Sequence, residues 1–211
     1  MRRALALWLL LFAVYAAGLG LDASADGERW SARETHVLLS AESIASDRDI
    51  DLHDEYASRG WEAFDGVAVT PTGGLVQGRL LEPQGLGFPL LIAPAYALGG
   101  ATLVQLWLGA LVALGFVFAA GVARRVVPEP WATRAVIVVG LSPWVVASAT
   151  RISPEGVGGT ALAAAVLAAF CVREQPSRRN ALAASGAIAL MPWLAVSLVP
   201  VAAGCAAALA R

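Results

Sequence analysis

Five long runs of this sequence contain no charged residue, and they dominate every other feature of the chain. The runs cover residues 4–21, 101–123, 135–150, 156–172 and 181–210. A helix that crosses the hydrocarbon core of a bilayer needs about 20 apolar residues, with a usable range of about 17–25. The runs therefore predict an all-α, polytopic membrane protein with about five transmembrane helices in a single membrane domain.

The composition agrees with a membrane protein and argues against an ordinary soluble enzyme. Charged residues make up 15% of the 211 residues, whereas a typical soluble domain has about 25%. The formal net charge is −1, and a nucleic-acid-binding surface needs clustered basic residues. We therefore expect the lipid bilayer as a partner and no nucleic acid.

Two of the runs have more than one interpretation. The first follows Arg2 and Arg3 and precedes Ala-Ser-Ala at 23–25, so it is either an uncleaved anchor or a cleaved secretory signal. The last is too long for one simple span and contains Pro192 and Pro200. It forms one kinked helix or two short ones, and we expect one span with a short trailing segment.

The arginines predict the orientation of the spans. If the N-terminus is cytoplasmic, eight arginines in the termini and short loops fall on the cytoplasmic side, as the positive-inside rule requires. They are Arg2, Arg3, Arg124, Arg125, Arg134, Arg173, Arg178 and Arg179. Residues 22–100 are then an extracytoplasmic loop of a multi-pass protein of the cytoplasmic membrane. Thirteen of the 16 acidic residues lie between residues 22 and 85.

A helix start is encoded early in this loop. Ser31 is followed three residues later by Glu34, which is the pattern of a capping box. Apolar residues then recur at helical spacing, which predicts an amphipathic helix over 32–46. We expect its apolar face to lie on the membrane surface or against the spans, and residues 47–52 to be extended.

The same region contains a spacing that is typical of calcium loops. Asp47, Asp49 and Asp51 alternate, but the sixth position of such a loop requires glycine and the twelfth requires glutamate. Those positions hold Leu52 and Ser58. We therefore expect a solvated acidic turn and no metal site.

Residues 86–98 are apolar, but 13 residues are too few for an ordinary span. Gly85, Gly87, Pro89 and Pro94 are expected to interrupt a long helix there. Irregular backbone at membrane depth has to line a cavity or be buried in protein. The segment is therefore expected to be re-entrant and to help form a cavity at the outer face.

Five short motifs follow one another along the chain. They are Ser-Ala-Arg-Glu-Thr-His-Val at 31–37, Asp-Ile-Asp-Leu at 49–52 with Tyr56, Pro-Leu-Leu-Ile-Ala-Pro-Ala-Tyr-Ala-Leu-Gly-Gly at 89–100, Thr-Arg-Ile-Ser-Pro-Glu at 150–155 and Met-Pro-Trp-Leu at 191–194. The ordered set resembles the multi-spanning glycosyltransferases of the GT-C type, the protein mannosyltransferase-like membrane enzymes. The resemblance extends over nearly the whole chain.

This resemblance implies transfer of a sugar from a polyprenyl-phosphate donor to an acceptor outside the cytoplasmic membrane, with inversion. An outer-loop acid takes the proton of the acceptor hydroxyl, and the matching residue is Glu34. The departing lipid phosphate needs cationic or hydrogen-bonding partners. No cofactor other than the lipid-linked sugar donor is implied, and a divalent metal is left open.

Each candidate site residue also has a purely structural interpretation. Glu34 is either the base or only the third residue of the capping box. Six residues are candidates for binding substrate or lipid phosphate: Arg33, His36, Arg79, Glu82, Arg151 and Glu155. As alternatives, Arg33 faces solvent, His36 faces the headgroups, Arg151 anchors the interface, and Glu155 complements a helix dipole.

A second function stays open because the chain departs from the family pattern. Arg33 stands where the family has an acid, and Ala195 and Ser197 stand where it often has histidine and arginine. Family members are also much longer. These departures favour a non-catalytic, degenerate GT-C-like subunit that binds lipid-linked sugar or a partner membrane protein. A transporter is disfavoured because the later spans carry almost no charge.

Overall fold

The computed structural model describes residues 2–19, 29–76, 78–81 and 85–209, and most of them are helical. The α-helices are α1 (Arg2–Ala17), α2 (Ala32–Ser46), α3 (His53–Ala57), α4 (Gly87–Ala123), α5 (Trp131–Gly140), α6 (Pro143–Thr150), α7 (Pro154–Glu174), α8 (Arg178–Leu194) and α9 (Val199–Leu209). Two 3-10 helices cover Gly60–Phe64 and Val196–Leu198. The strands β1 (Leu75–Val76) and β2 (Arg79–Leu80) form an antiparallel hairpin.

The chain divides into two compact units. The helical unit comprises Met1–Gly18 and Leu108–Arg211, and the insert unit comprises Leu19–Trp107. The division falls inside α4. The insert unit contains nearly all of the acidic segment that the sequence analysis identified, so the segregation of charge along the chain coincides with a structural division.

Two helices, α4 and α7, are long and apolar enough to cross a membrane. The α5 and α6 helices are bent by 60° at a short break and count as a third candidate if they form one span. The structure therefore supports an all-α membrane protein with two or three membrane-crossing helices among the described residues. It does not establish the five spans that the hydrophobic runs predict, because α1, at 16 residues, and α8, at 17, are short for a span.

The segment expected to be interrupted by glycine and proline is helical instead. Pro94 lies inside α4, and the interruption falls at Gly99 and Gly100. Gly100 has φ 62° and ψ −160°, a conformation that is accessible essentially only to glycine. Pro94 therefore does not break the helix as expected, whereas a new helical segment does start at residue 101. The re-entrant character of residues 87–98 stays a prediction.

Two other apolar runs are broken where proline follows. Within the run 135–150, one helix ends at Gly140 and the next begins at Pro143, the first residue of α6. Proline is well tolerated at that position, since the first amides of a helix have no intrahelical partner. The run 181–210 is divided near Ala195, which has extended φ and ψ values of −159° and 142°. This run therefore forms α8 and a short trailing helix, as expected.

The helical unit is held together by close packing and a few polar contacts. Trp8 Nε1 donates to the carbonyl of Ala110 at 3.0 Å, and the buried Tyr15 hydroxyl donates to the carbonyl of Gly140 at 2.9 Å. Small residues allow α4 and α7 to approach closely, since a Cβ built on Gly115 would lie 2.5 Å from Thr160 Oγ1 and 3.1 Å from its Cα. Glycine at this contact is characteristic of helix packing in membranes.

We predict that Gly115→Ala destabilises the protein, because the added methyl group meets the Thr160 backbone and cannot be relieved by a side-chain rotation. Overpacking of this kind costs about 1–3 kcal/mol. The matched control is Gly159→Ala in α7, where a Cβ would meet nothing within 4 Å. Thermal unfolding in non-ionic detergent should show a lower midpoint for Gly115→Ala only. Equal midpoints for the two variants would contradict the close contact.

Candidate functional site

The insert unit begins with the predicted capping box, which the structure confirms. The Ser31 amide donates to Glu34 Oε2 at 3.0 Å, and the Ser31 hydroxyl donates to the same oxygen at 2.6 Å. The Glu34 amide in turn donates a hydrogen bond to the Ser31 hydroxyl oxygen at 3.5 Å. The helix that follows covers Ala32–Ser46, as the sequence predicts. The Glu34 carboxylate is therefore fixed in orientation at the N-terminal end of α2.

The α2 helix is more buried than its sequence pattern indicated. Every residue from Thr35 to Ala41 is buried, so the expectation of one apolar face and one exposed polar face is wrong for this part of the helix. Polar side chains share the buried surface, and most of them have a local partner, whereas the Thr35 hydroxyl has no hydrogen-bond partner among the described residues. The Ser40 hydroxyl, for example, donates to the carbonyl of His36 at 3.0 Å.

His36 is one of these buried side chains, with 6% of its surface exposed. Its Nδ1 lies 2.6 Å from the Tyr56 hydroxyl, and the Tyr56 ring lies 6.3 Å from the ring of Trp61. His36 therefore links α2 to the end of α3. The suggestion that His36 faces the lipid headgroups is not supported, because its side chain points into the insert unit.

The acidic turn after α2 is held by its own aspartates. Asp49 Oδ1 accepts from the Ser43 hydroxyl at 2.9 Å and from the Asp51 amide at 3.2 Å. Asp51 Oδ1 accepts from the Leu80 amide at 2.9 Å and from the His53 amide at 3.3 Å. These carboxylates organise the loop and attach it to the β hairpin, so the turn is more than a solvated acidic stretch. Residues 47–52 form no strand.

Three other carboxylates converge next to this loop. Asp47, Asp54 and Glu55 each offer one oxygen, and the three oxygens lie within 4.8 Å of one another. Asp47 follows the end of α2, whereas Asp54 and Glu55 lie in α3. Glu55 is only 5% exposed. A fourth carboxylate, Glu42, has its Oε2 buried without a hydrogen-bond partner among the described residues.

Burial controls the protonation of this cluster. Burial raises the pKa of Glu55 to about 7, and the adjacent Asp54 carboxylate adds to the rise. The pKa of Asp54 is lowered, mainly by a hydrogen bond from Glu55. Burial, with a smaller contribution from the charge of Asp47, also raises the pKa of Glu42. Near neutral pH, Glu55 is therefore only partly ionised.

The structure distributes the predicted site residues over both units. In the insert unit, Arg33 and Glu34 lie in the first turn of α2, where Arg33 is exposed and Glu34 is half-buried. Arg79 is exposed in β2, and Glu82 lies outside the described residues. In the helical unit, Arg151 and Glu155 are both exposed on either side of the start of α7.

The helical unit contains a groove of about 370 Å³. It is formed by residues of α4, α6 and α7, and Glu155 is its one carboxylate among mainly apolar neighbours such as Phe116 and Trp144. The Thr160 hydroxyl donates to the carbonyl of Leu111 at 2.9 Å and so joins α4 to α7 along this groove. A groove of this character can hold an apolar chain.

Glu42 and Glu55 are not predicted from the sequence, because their burial depends on contacts between α2, α3 and the 3-10 helix Gly60–Phe64. Glu42 Oε2 lies 3.3 Å from where a Cβ of Gly60 would be. One available signal was that Glu42 directly follows the predicted apolar position Ala41. A second was that the Asp-Glu pair at 54–55 immediately precedes Tyr56, a residue of the recognised motifs.

Comparison of the chain with protein-family models, with curated protein sequences and with solved structures finds no match. The resemblance to GT-C glycosyltransferases therefore rests on the five motifs alone.

We predict that the free energy of unfolding falls as pH rises from about 4.5 to about 7 and then levels off. The folded state binds a proton on Glu55 up to a pKa of about 7, whereas the ordinary glutamate value is 4.5, so the folded state binds more protons across this window. Thermal unfolding should be measured in detergent and chelator at several pH values.

The variant Glu55→Gln should remove most of this pH dependence, because an amide does not titrate in this range. The matched control is Glu62→Gln, which changes an exposed glutamate paired with Arg59 at 3.6 Å. A wild-type profile that is flat from pH 4.5 to 7, or one that Glu55→Gln leaves unchanged, would contradict the assignment.

Proposed function

We propose that this chain is a GT-C-like membrane glycosyltransferase unit that transfers a sugar from a polyprenyl-phosphate donor to an extracytoplasmic acceptor. Three features support the proposal: the ordered motifs, the all-α membrane character and a polar insert unit between apolar segments. The observation that carries it is the fixed carboxylate of Glu34, which the capping box holds at the position of the family's acidic motif. A preorganised carboxylate suits general-base catalysis.

In the proposed reaction, Glu34 accepts the proton of the acceptor hydroxyl as its oxygen attacks the anomeric carbon. The bond between that carbon and the phosphate oxygen breaks, and the polyprenyl phosphate leaves with the bonding electrons. A single displacement of this kind inverts the anomeric centre. The exposed Arg33, which lies in the same helix turn as Glu34, is the candidate for stabilising the phosphate by charge-assisted hydrogen bonds.

The apolar groove of the helical unit is the proposed binding place for part of the polyprenyl chain. Its lining is mainly apolar, and Glu155 supplies its carboxylate. The proposal also includes the finer topology from the sequence: about five spans, a cytoplasmic N-terminus and an insert unit outside the membrane. Short spans such as α1 are tolerated by local thinning of the bilayer.

A second candidate function is a non-catalytic subunit that binds lipid-linked sugar or a partner membrane protein. The capping box favours this non-catalytic function, because the Glu34 carboxylate already stabilises the start of α2. The substitution of the family's preceding acid by Arg33 points in the same direction. On this interpretation the motifs maintain the fold and a binding surface, and the chain does not carry out the transfer reaction.

The two functions are separated by Glu34→Gln and Ser31→Ala. Glutamine can still complete a capping box, so Glu34→Gln removes the base while keeping the helix start. Ser31→Ala removes the cap, at about 1 kcal/mol, while keeping the carboxylate. With labelled polyprenyl-phosphate sugars and membranes that contain the chain, we expect Glu34→Gln to slow transfer by about 10²–10⁴-fold and Ser31→Ala to leave most of it.

Equal transfer by Glu34→Gln and the wild-type chain would show that Glu34 is not the base. Retention of labelled lipid by the purified chain without transfer from any donor would favour the non-catalytic function. Absence of both transfer and retention would overturn both proposals.

The proposed topology predicts that the insert unit is reached from outside the cell. After replacement of Cys171 and Cys205 by serine, Ser58→Cys should react with a membrane-impermeant thiol reagent in intact cells. The matched control is Gln175→Cys, which is exposed between α7 and α8 and should react only after lysis. The reverse pattern of labelling would refute the orientation.

A further inference from the structure

We propose that Asp47, Asp54 and Glu55 form a binding site for a hard divalent cation, with calcium as the preferred ion. The inference concerns the insert unit alone and does not depend on the proposed transfer reaction. It rests on the spacing of three oxygens, on the burial of Glu55 without a donor among the described residues to either carboxylate oxygen, and on the loop that holds the two segments together.

The spacing of the oxygens fits calcium. Calcium binds carboxylate oxygens at about 2.3–2.6 Å, so two oxygens on one ion are separated by at most about 5 Å. The three oxygens of this cluster lie within 4.8 Å of one another. Magnesium requires shorter distances of about 2.0–2.1 Å and stricter octahedral geometry. Carboxylate ligands without nitrogen or sulfur also favour hard cations over zinc or copper.

Glu55 supplies the independent observation. Its side chain is more than nine-tenths buried, and neither of its carboxylate oxygens accepts a hydrogen bond from a donor among the described residues. An ionised carboxylate without a partner is costly to bury. Its oxygen is directed towards those of Asp47 and Asp54, so one cation at their centre would satisfy all three groups.

Nearby donors are already engaged. The Ser43 hydroxyl is close enough to Glu55 to lower its pKa, but it donates to Asp49 Oδ1 at 2.9 Å. The Ser58 hydroxyl donates to the backbone carbonyl of Asp54 at 2.7 Å. In the part of the chain that the structure describes, no arginine forms an ion pair with the three acids. The charge of the cluster is therefore balanced by a proton or by a cation.

The segments that carry the three acids are fixed relative to each other. Asp49 and Asp51, through the hydrogen bonds already described, hold the loop between α2 and α3 in one conformation. This arrangement explains why the alternating Asp47, Asp49 and Asp51 are not a calcium loop: two of them organise the backbone, and only Asp47 joins the cluster. Preorganised ligands reduce the entropic cost of binding.

The test is calorimetric titration of the purified chain in non-ionic detergent, stripped with chelator, with calcium chloride alone as the probe. We expect a Kd of about 10⁻⁴–10⁻³ M, the range of weak calcium modules. Glu55→Gln and Asp47→Asn should each weaken binding at least tenfold. Asp47 is exposed, so Asp47→Asn is expected to fold normally even if Glu55→Gln does not.

The matched control is Glu62→Gln, which removes one exposed acid of the insert unit outside the cluster and should bind calcium as the wild-type chain does. Magnesium chloride in a parallel titration should bind more weakly than calcium. Absence of binding to calcium by the wild-type chain would overturn the proposal. So would equal affinities of the wild-type chain, Glu55→Gln and Asp47→Asn. The sugar-transfer assay is separate, so failure of either proposal is recognised independently.

Discussion

The need to satisfy backbone hydrogen bonds without water governs the apolar part of this chain. In hydrocarbon an unpaired amide or carbonyl is expensive, so apolar segments are helical. The helices end or bend where the sequence offers a residue that tolerates the interruption: Gly99 and Gly100 in α4, Pro143 at the start of α6, and the segment after Pro192. The division of the apolar segments into separate helices follows from where these interruptions fall.

The insert unit differs from the helical unit because polar side chains form part of its buried interior. Glu34 closes a capping box, Asp49 and Asp51 hold a loop, and His36 meets Tyr56. Each of these side chains has a hydrogen-bond partner, which for the buried His36 offsets the cost of burial. Glu55 differs from them, since its neighbours are other acids. That difference makes it the most informative residue of the unit.

Local signals in the sequence were sufficient for some of this structure. The capping box located α2, and the length of the run at 156–172 located α7, because both depend on residues close together in the chain. The continuity of α4 through Pro94 was not predicted, because proline normally interrupts a helix. The acidic cluster was missed because the burial of Glu55 depends on how α3 packs in the insert unit, which residue spacing alone does not show.

The hydrogen bond between Tyr15 and the carbonyl of Gly140 has a consequence for biogenesis. Its two residues are separated by 125 positions, and the hydroxyl meets the carbonyl at the end of α5. During synthesis α1 leaves the ribosome long before its partner exists. The contact therefore forms late and joins the first segment to the bend only after most of the chain has been made.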